Sequence, residues 1–222
     1  MTDFVDIYCE RIGPGLWAEP INLLTNAAFL LAAATAAARF ARAPGLTPRS
    51  AWDIALLIAL LAAIGIGSAL WHAFAQPWAG LADTIPILLF INVFLPSFLY
   101  RVARLGALPI VVLFVLFQAA NFGVRGAFPP DALNGSIFYA PAWLGLGLMA
   151  LFAGVRRHPA AAQVGMAWVV FTVSLAFRTM DAAVCAAVPV GTHFLWHLLN
   201  AIVLYLLVDA LMRASPHPRP AR

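Results

Sequence analysis

Long apolar stretches follow one another along almost the whole chain and are separated by short breaks. Each stretch has roughly 20 residues, the length of helix that crosses the hydrocarbon core of a bilayer. The breaks combine proline or glycine with polar residues, as turns do. This pattern predicts seven transmembrane helices, near Ile21–Arg39, Ala51–Ala73, Leu81–Tyr100, Leu108–Val124, Ile137–Val155, Val164–Ala182 and Phe194–Met212.

No break is long enough to hold a separate domain, so one all-α bundle is expected over residues 1–222. It consists of an N-terminal segment (1–19), the seven-helix bundle (20–213) and a C-terminal tail (214–222). Hydrophobic residues make up 64% of the chain and charged residues 10%, with a mean hydropathy of +0.91. A water-soluble domain carries about a quarter charged residues, so most of this surface must face lipid.

The basic residues, which are all arginines, alternate between two sets of loops. Ten of the 13 follow the first, third, fifth and seventh spans: Arg39, Arg42, Arg49, Arg101, Arg104, Arg156, Arg157, Arg213, Arg219 and Arg222. Only Arg11, Arg125 and Arg178 lie on or towards the other side. Since arginine-rich loops stay in the cytoplasm, the N-terminus should lie outside and the C-terminus in the cytoplasm. We expect a bacterial-type inner (cell) membrane, and no nucleic-acid partner, because the arginines form no binding stripe.

Polar and ionisable residues gather at the predicted outer ends of three spans. Ser68 and His72 end the second span, Asp83 begins the third, and His193 and His197 begin the seventh. Such residues are costly at membrane depth unless they are paired or functional. His193 and His197 are four residues apart on one helical face, so they could bind one metal ion. Interhelical hydrogen bonding without a metal is the alternative.

Together with His72, this pair predicts a three-histidine zinc site toward the non-cytoplasmic face. Three neutral imidazoles leave one position of a tetrahedral zinc ion open, an arrangement that activates water near neutral pH. No cysteine is grouped with the histidines, which argues against a closed structural site. Asp83 is placed to accept a proton from water or to orient an imidazole, and Ser68 to hydrogen-bond a substrate carbonyl or oxyanion.

Several short motifs occur in a characteristic order between Asp6 and Asn200. They are Tyr8-Cys9-Glu10, Glu19-x2-Asn22-x3-Asn26, Ser68-x3-His72, Asp83, Asp181-x3-Cys185 and His193-x3-His197. In this set the chain resembles the alkaline ceramidases and, more broadly, the superfamily of membrane hydrolases that includes the adiponectin-type receptors. The resemblance implies seven helices, a zinc ion on the three histidines and hydrolysis of the amide bond of a ceramide. It also implies that Asp83 activates the water and that Ser68 stabilises the oxyanion.

The resemblance further implies a calcium site, because members of its eukaryotic branch bind calcium through acidic residues of the N-terminal segment. The corresponding oxygen ligands here are Asp6, Glu10 and Glu19, with Asn22 nearby. The chain departs from that pattern by one inserted residue, Asp-Ile-Tyr-Cys-Glu in place of Asp-Trp-Cys-Glu, and by Ile12 where an oxygen ligand is expected. An acidic segment without an ion is the alternative.

Two further pairings are expected on the predicted outer side. Cys9 and Cys185 are the only cysteines and both map to the oxidising side, where a disulfide would tie the N-terminal segment to the loop before the seventh span. Two buried free thiols are the alternative. Arg178 and Asp181, three residues apart in the sixth span, are expected to pair with each other or with the N-terminal acids.

The leading functional prediction is a zinc-dependent amidase that acts within the bilayer on ceramide or a related N-acyl lipid. Its products would be a long-chain amine and a fatty acid. A lipid receptor or sensor with a structural zinc and little hydrolytic activity is the alternative, which the short cytoplasmic loops disfavour. A channel or transporter would need polar residues through the full depth of the bundle, and the predicted inner half has few.

Overall fold

The computed structural model of the protein describes residues 4–215, and all regular secondary structure in that range is helical. The elements are α1 (Pro20–Thr25), α2 (Ala27–Arg42), α3 (Trp52–Phe74), α4 (Pro77–Arg101), α5 (Ala107–Ala127), a 3₁₀ helix (Ser136–Tyr139), α6 (Ala140–Val155), α7 (Ala161–Val184) and α8 (His193–Ala214). The predictions for the end of the tail, including Arg219 and Arg222, fall outside the described residues.

Seven segments of the described chain are long and apolar enough to cross a membrane, which confirms the predicted fold class. The first segment combines α1 and α2, and the fifth combines the 3₁₀ helix with α6; the other five are single helices. The boundaries differ by a few residues, most at α4, which already begins at Pro77, whereas the apolar pattern placed its start at Leu81. Proline is favoured in the first turn of a helix, where its missing N–H costs no hydrogen bond.

The hydrophobic core lies around α3 and α8, which supply its most deeply buried side chains. Ile54, Leu57 and Leu61 of α3 are fully buried, as are Val208 and Leu211 of α8. The helix α5 differs, because none of its residues is buried against the rest of the described chain. It packs at the periphery, against α4, α6 and the 3₁₀ helix. The centre of the bundle is therefore rigidly packed and one side is open.

The helices α3 and α4 approach closely at Gly67. Pro86 lacks an N–H, so the Ala82 carbonyl one turn earlier loses its partner within the helix. This carbonyl lies against Gly67, where an added methyl group would clash with it. The close approach brings Ser68 of α3 and Asp83 of α4 to the same level of the bundle.

At the end of the bundle opposite the histidines, two aspartates are paired with arginines. Asp53 accepts two hydrogen bonds from Arg101, at 2.7 and 2.5 Å. Asp209 lies 2.7 Å from the Arg39 guanidinium and 2.8 Å from that of Arg213. These ion pairs connect the C-terminal ends of α2, α4 and α8 and the N-terminal start of α3. Consecutive spans run in opposite directions, so these four ends lie at the same end of the bundle. Both aspartates therefore have a structural explanation.

Candidate metal centre

Three buried histidines from two helices converge at one end of the bundle, which we call the histidine end. His72 lies in the last turn of α3, and His193 and His197 lie in the first two turns of α8. Their exposed fractions are 1%, 3% and 1%. One nitrogen of each ring lies within 4.8 Å of the others. This group could hold a metal ion, as the sequence predicted.

Hydrogen bonds at the outer ring nitrogens determine which nitrogens face the centre. His72 Nδ1 lies 2.5 Å from Glu19 Oε2. His197 Nδ1 lies 3.0 Å from Thr25 Oγ1, whose own hydrogen is donated to the Ile21 carbonyl at 2.8 Å. A carboxylate can only accept, so His72 Nδ1 donates to Glu19. With the Thr25 hydroxyl donating to Ile21, His197 Nδ1 is assigned as the donor to Thr25. In neutral rings the Nε2 atoms of His72 and His197 then carry lone pairs.

Those two Nε2 atoms face each other at 3.1 Å. Two lone pairs at this distance repel each other unless a cation or a proton lies between them. His193 contributes a buried Nδ1 that has no hydrogen-bond partner among residues 4–215. A metal ion would satisfy all three rings at once, because zinc binds imidazole nitrogen at roughly 2.0–2.1 Å. The three residues therefore fit a metal ion.

The N-terminal segment covers the histidine end through a buried arginine. The Arg11 guanidinium donates to Glu19 Oε1 at 2.5 Å, to the Gly13 carbonyl at 3.0 Å and to the His72 carbonyl at 2.8 Å. Burial alone would raise the pKa of Glu19, but the hydrogen bonds from His72 and Asn22 and the charge of Arg11 hold that pKa below its ordinary value. Glu19 is therefore ionised and orients the His72 ring, a role that carboxylates often have beside metal ligands.

The acidic residues predicted to bind calcium have other partners. The two carboxylate oxygens of Glu10 accept the backbone N–H groups of Ile21 and Asn22, at 2.6 and 2.8 Å, at the start of α1. Glu19 is shared between Arg11 and His72 as described. Asp6 is exposed, and within the described part of the chain the acids Asp6, Glu10 and Glu19 do not form a metal-binding group. The structure therefore does not support the predicted calcium site, and experiment can test it.

The predicted disulfide between Cys9 and Cys185 is present, with Cα atoms 5.1 Å apart. It holds Tyr8 against the histidines, where the Tyr8 ring lies 4.1 Å from that of His193 and 5.0 Å from that of His72, centroid to centroid. Burial raises the pKa of Tyr8, so the phenol stays protonated. The sequence showed Tyr8 only as part of a motif and did not indicate this contact.

Asp181 fixes the start of α8 and therefore the position of His193. Its Oδ1 atom accepts the backbone N–H groups of Thr192 at 2.6 Å and His193 at 2.9 Å. Gly191 has φ +63, and a side chain there would clash with Asp181. The expected pairing of Arg178 with Asp181 or with the N-terminal acids is wrong, because Arg178 donates instead to the Asn134 carbonyl.

Both residues predicted to take part in catalysis lie beside the histidines. Ser68 is buried one turn before His72 on α3. Asp83 on α4 lies at the same level, because its backbone nitrogen comes close to Gly67, the residue before Ser68. The structure therefore brings both residues to the histidine end of the bundle.

An apolar cavity begins next to the histidines and extends into the bundle. Phe29, whose ring meets that of His197 edge-on at 6.3 Å, lines its upper part together with Trp196. Leu207 lines its deepest part. Between Trp196 and Leu207 the helix α8 rises by about 16 Å. The walls are nearly all hydrophobic, so the cavity suits a hydrocarbon chain.

No family model matches this chain, and no curated protein matches it significantly. The resemblance to the alkaline ceramidases stays a prediction. A functional assignment therefore depends on the geometry of the histidines and of the residues around them.

Proposed function

We propose that the protein is an integral-membrane, zinc-dependent hydrolase that cleaves the amide bond of ceramide or a related N-acyl lipid. One observation carries the proposal: the three buried histidines converge, with the Nε2 atoms of His72 and His197 3.1 Å apart, and an apolar cavity lies nearby. The histidine group can bind a metal cation, and the apolar walls of the neighbouring cavity can bind a lipid chain.

His72, His193 and His197 would hold the metal ion. Neutral imidazoles suit zinc, and three of them leave a coordination position free for a reactant. A bound zinc ion polarises a substrate carbonyl and lowers the pKa of water to near 7. Glu19 and Thr25 support the site by fixing the orientation of two of the rings.

The protein residues beside the histidines would handle the protons of the reaction. Asp83 accepts a proton from the attacking water and returns it to the nitrogen of the leaving amine as the carbon–nitrogen bond breaks. Ser68 donates a hydrogen bond to the oxygen that becomes negative in the transition state. The products are a fatty acid and an amine.

The apolar cavity supports a lipid substrate. An acyl chain inserted between Phe29 and Leu207 would place its carbonyl end at the level of the histidines. Most of the described helices carry exposed hydrophobic side chains that face lipid. A substrate that partitions into the bilayer can therefore reach the cavity from the side. The distribution of arginines supports an outward N-terminus, which puts the histidine end toward the non-cytoplasmic face of a cell membrane.

A sensor with a structural zinc is the second candidate, and one observation favours it. All three histidines are almost fully buried beneath the N-terminal segment, as in closed structural sites. The two candidates differ in what Asp83 does. In an enzyme Asp83 is essential for turnover, whereas in a sensor it only packs near the site.

The experiment therefore separates metal content from activity. His72→Ala, His193→Ala and His197→Ala should each lower bound zinc well below one ion per chain and remove amidase activity. Asp83→Asn should keep the zinc but lower activity by roughly 10²- to 10⁴-fold, and Ser68→Ala by about 10²- to 10³-fold. Asp131→Asn, in an exposed loop, is the matched control. A folded, zinc-loaded Asp83→Asn protein as active as wild type would rule out the mechanism.

A further inference from the structure

A second cavity, with polar walls, lies between α4, α5 and the 3₁₀ helix. We call it the arginine cavity. Its polar lining residues are Thr84, Asn92, Gln118, Asn121, Arg125 and Arg178. It adjoins the apolar cavity, with which it shares Ile87, Ile91, Phe117, Tyr139 and Ala142. A molecule with a polar head and an apolar chain could therefore occupy both.

The two arginines of this cavity lie over consecutive aromatic residues of the 3₁₀ helix. The Arg125 guanidinium is 5.9 Å from the centroid of the Phe138 ring. The Arg178 guanidinium is 5.6 Å from the Tyr139 ring and 5.5 Å from the Trp196 ring. Aromatic faces hold a guanidinium in place without neutralising its charge. Both positive charges are thus directed at one cavity.

Neither arginine has a carboxylate partner within residues 4–215, although four other arginines do. Arg11, Arg39, Arg101 and Arg213 each form an ion pair with an acidic side chain. Arg178 donates through Nη1 to the Asn134 carbonyl and more weakly to Ser136 Oγ at 3.4 Å. Its Nε and Nη2 groups make no close hydrogen bond to the described chain, and the Tyr139 hydroxyl and Asp83 carboxylate are the polar groups that interact with the guanidinium. These donors are free to bind a ligand.

An anionic ligand would correct this imbalance of charge. Arg178 is partly buried within α7, where an unpaired charge is costly, whereas Arg125 is exposed in the last turn of α5. Guanidinium groups bind carboxylate and phosphate through short, charge-assisted hydrogen bonds. A small soluble anion would fill only the polar part of the space, whereas the shared wall at Tyr139 and Ala142 continues into the apolar cavity.

We infer that the ligand of this site is an acidic N-acyl lipid, whose carboxylate or phosphate lies between Arg125 and Arg178 while its acyl chain fills the apolar cavity. The Trp196 ring under Arg178 also lines the apolar cavity, one residue before His197. If the ligand has a short head group bound at Arg178, its amide bond would therefore lie near the histidines. That this ligand is also the substrate rests on the proposed function; its binding does not.

The test compares the binding of lipids that differ only in charge. N-palmitoylglycine is paired with its methyl ester, and the phosphate monoester of N-palmitoylethanolamine with N-palmitoylethanolamine itself. Dissociation constants are measured with radiolabelled lipids on detergent-solubilised full-length protein, wild type and Asp83→Asn. At least one acid should bind about 10- to 100-fold more tightly than its neutral partner, as charged hydrogen bonds provide. The pair that shows the difference identifies the head group.

Variants of Arg125 test the site most directly. Arg178 also hydrogen-bonds the Asn134 carbonyl, so its removal could disturb the loop as well as ligand binding. Arg125→Gln should remove most of the preference for the acid and leave binding of the neutral partner unchanged. Arg125→Lys should retain part of the preference, since the charge remains. Arg49→Gln, an exposed arginine near the opposite end of the bundle, is the matched control and should change nothing.

Equal affinity for acid and neutral lipid in both pairs would overturn the inference. So would a preference that survives Arg125→Gln, or an Arg125→Gln protein that loses acidic and neutral lipids equally. The outcome for the hydrolase is read separately from product formation. A preference for the acid without hydrolysis would support the anion site and contradict the proposed hydrolase. Hydrolysis of neutral lipid without such a preference would support the hydrolase and contradict the anion site.

Discussion

Oε2 of Glu19 and Nδ1 of His72 lie 2.5 Å apart, although 53 positions separate the two residues in the chain. The other carboxylate oxygen of Glu19 binds the Arg11 guanidinium, also at 2.5 Å. One carboxylate therefore orients a predicted metal ligand and anchors the segment that covers it. Removing its charge should affect both metal binding and folding.

Glu19→Gln should weaken zinc binding by about 10- to 100-fold, because an amide orients the His72 ring less well than a carboxylate. It should also lower the melting temperature, since breaking a buried pair costs about 3–5 kcal/mol. Chelator competition and thermal unfolding measure the two effects. Glu10→Gln is the control, as Glu10 is also buried but binds only backbone N–H groups. An equal loss of zinc affinity in both variants would contradict the role of Glu19.

Thr25→Val tests the other ring support. Valine has the shape of threonine but cannot accept the hydrogen of His197 Nδ1, so we expect zinc affinity to fall by at least about 10-fold with little loss of stability. Thr35→Val is a close control, because Thr35 makes the same backward hydrogen bond, to the Leu31 carbonyl, far from the histidines. If both variants bind zinc like wild type, Thr25 does not determine the orientation of His197.

Calcium binding can be tested by thermal unfolding of metal-stripped protein. An ion held by Asp6, Glu10 and Glu19 would raise the melting temperature by mass action. Because Arg11 already neutralises Glu19 and backbone N–H groups occupy Glu10, we expect no rise at millimolar calcium. A rise that Glu10→Gln abolishes would establish the calcium site instead.

The orientation in the membrane can be tested with reporter fusions. A reporter after Arg222 should be active only in the cytoplasm, and one inserted near Pro129, between α5 and the 3₁₀ helix, only on the other side. Insertion near Pro44, between α2 and α3, provides a cytoplasmic control within the bundle. A cytoplasmic signal at Pro129 would reverse the orientation and place the histidine end in the cytoplasm.

The fold and the histidine group were predictable because each depends on a strong signal. Apolar runs long enough to span a bilayer have few alternatives, and polar residues such as His72 and His193 stand out where water is absent. The disulfide followed from a resemblance and from the presence of only two cysteines. For these features it was enough to know which spans carry the residues and near which end of each span they lie.

The contacts that support the site depend on that packing and could not be predicted. Arg178 and Asp181 are neighbours on one helix face, which suggested an ion pair. In the structure, Asp181 instead accepts hydrogen bonds from backbone N–H groups at the start of α8. The resemblance suggested Glu19 as a calcium ligand, whereas its contacts with Arg11 and His72 appear only when the N-terminal segment folds over the bundle. The arginine cavity likewise arises from the loose packing of α5.

The N-terminal segment is fastened over the histidine end at three places. Val5 N–H donates to the Ala75 carbonyl at 2.8 Å, Cys9 is bonded to Cys185, and Arg11 donates to the His72 carbonyl. A closed aqueous end leaves the lateral surface as the route for a lipid. The rate of the proposed hydrolase would then follow the mole fraction of substrate in the bilayer. Adding inert phospholipid at constant total substrate would slow turnover by surface dilution, whereas diluting the vesicles with buffer would leave the rate per enzyme unchanged.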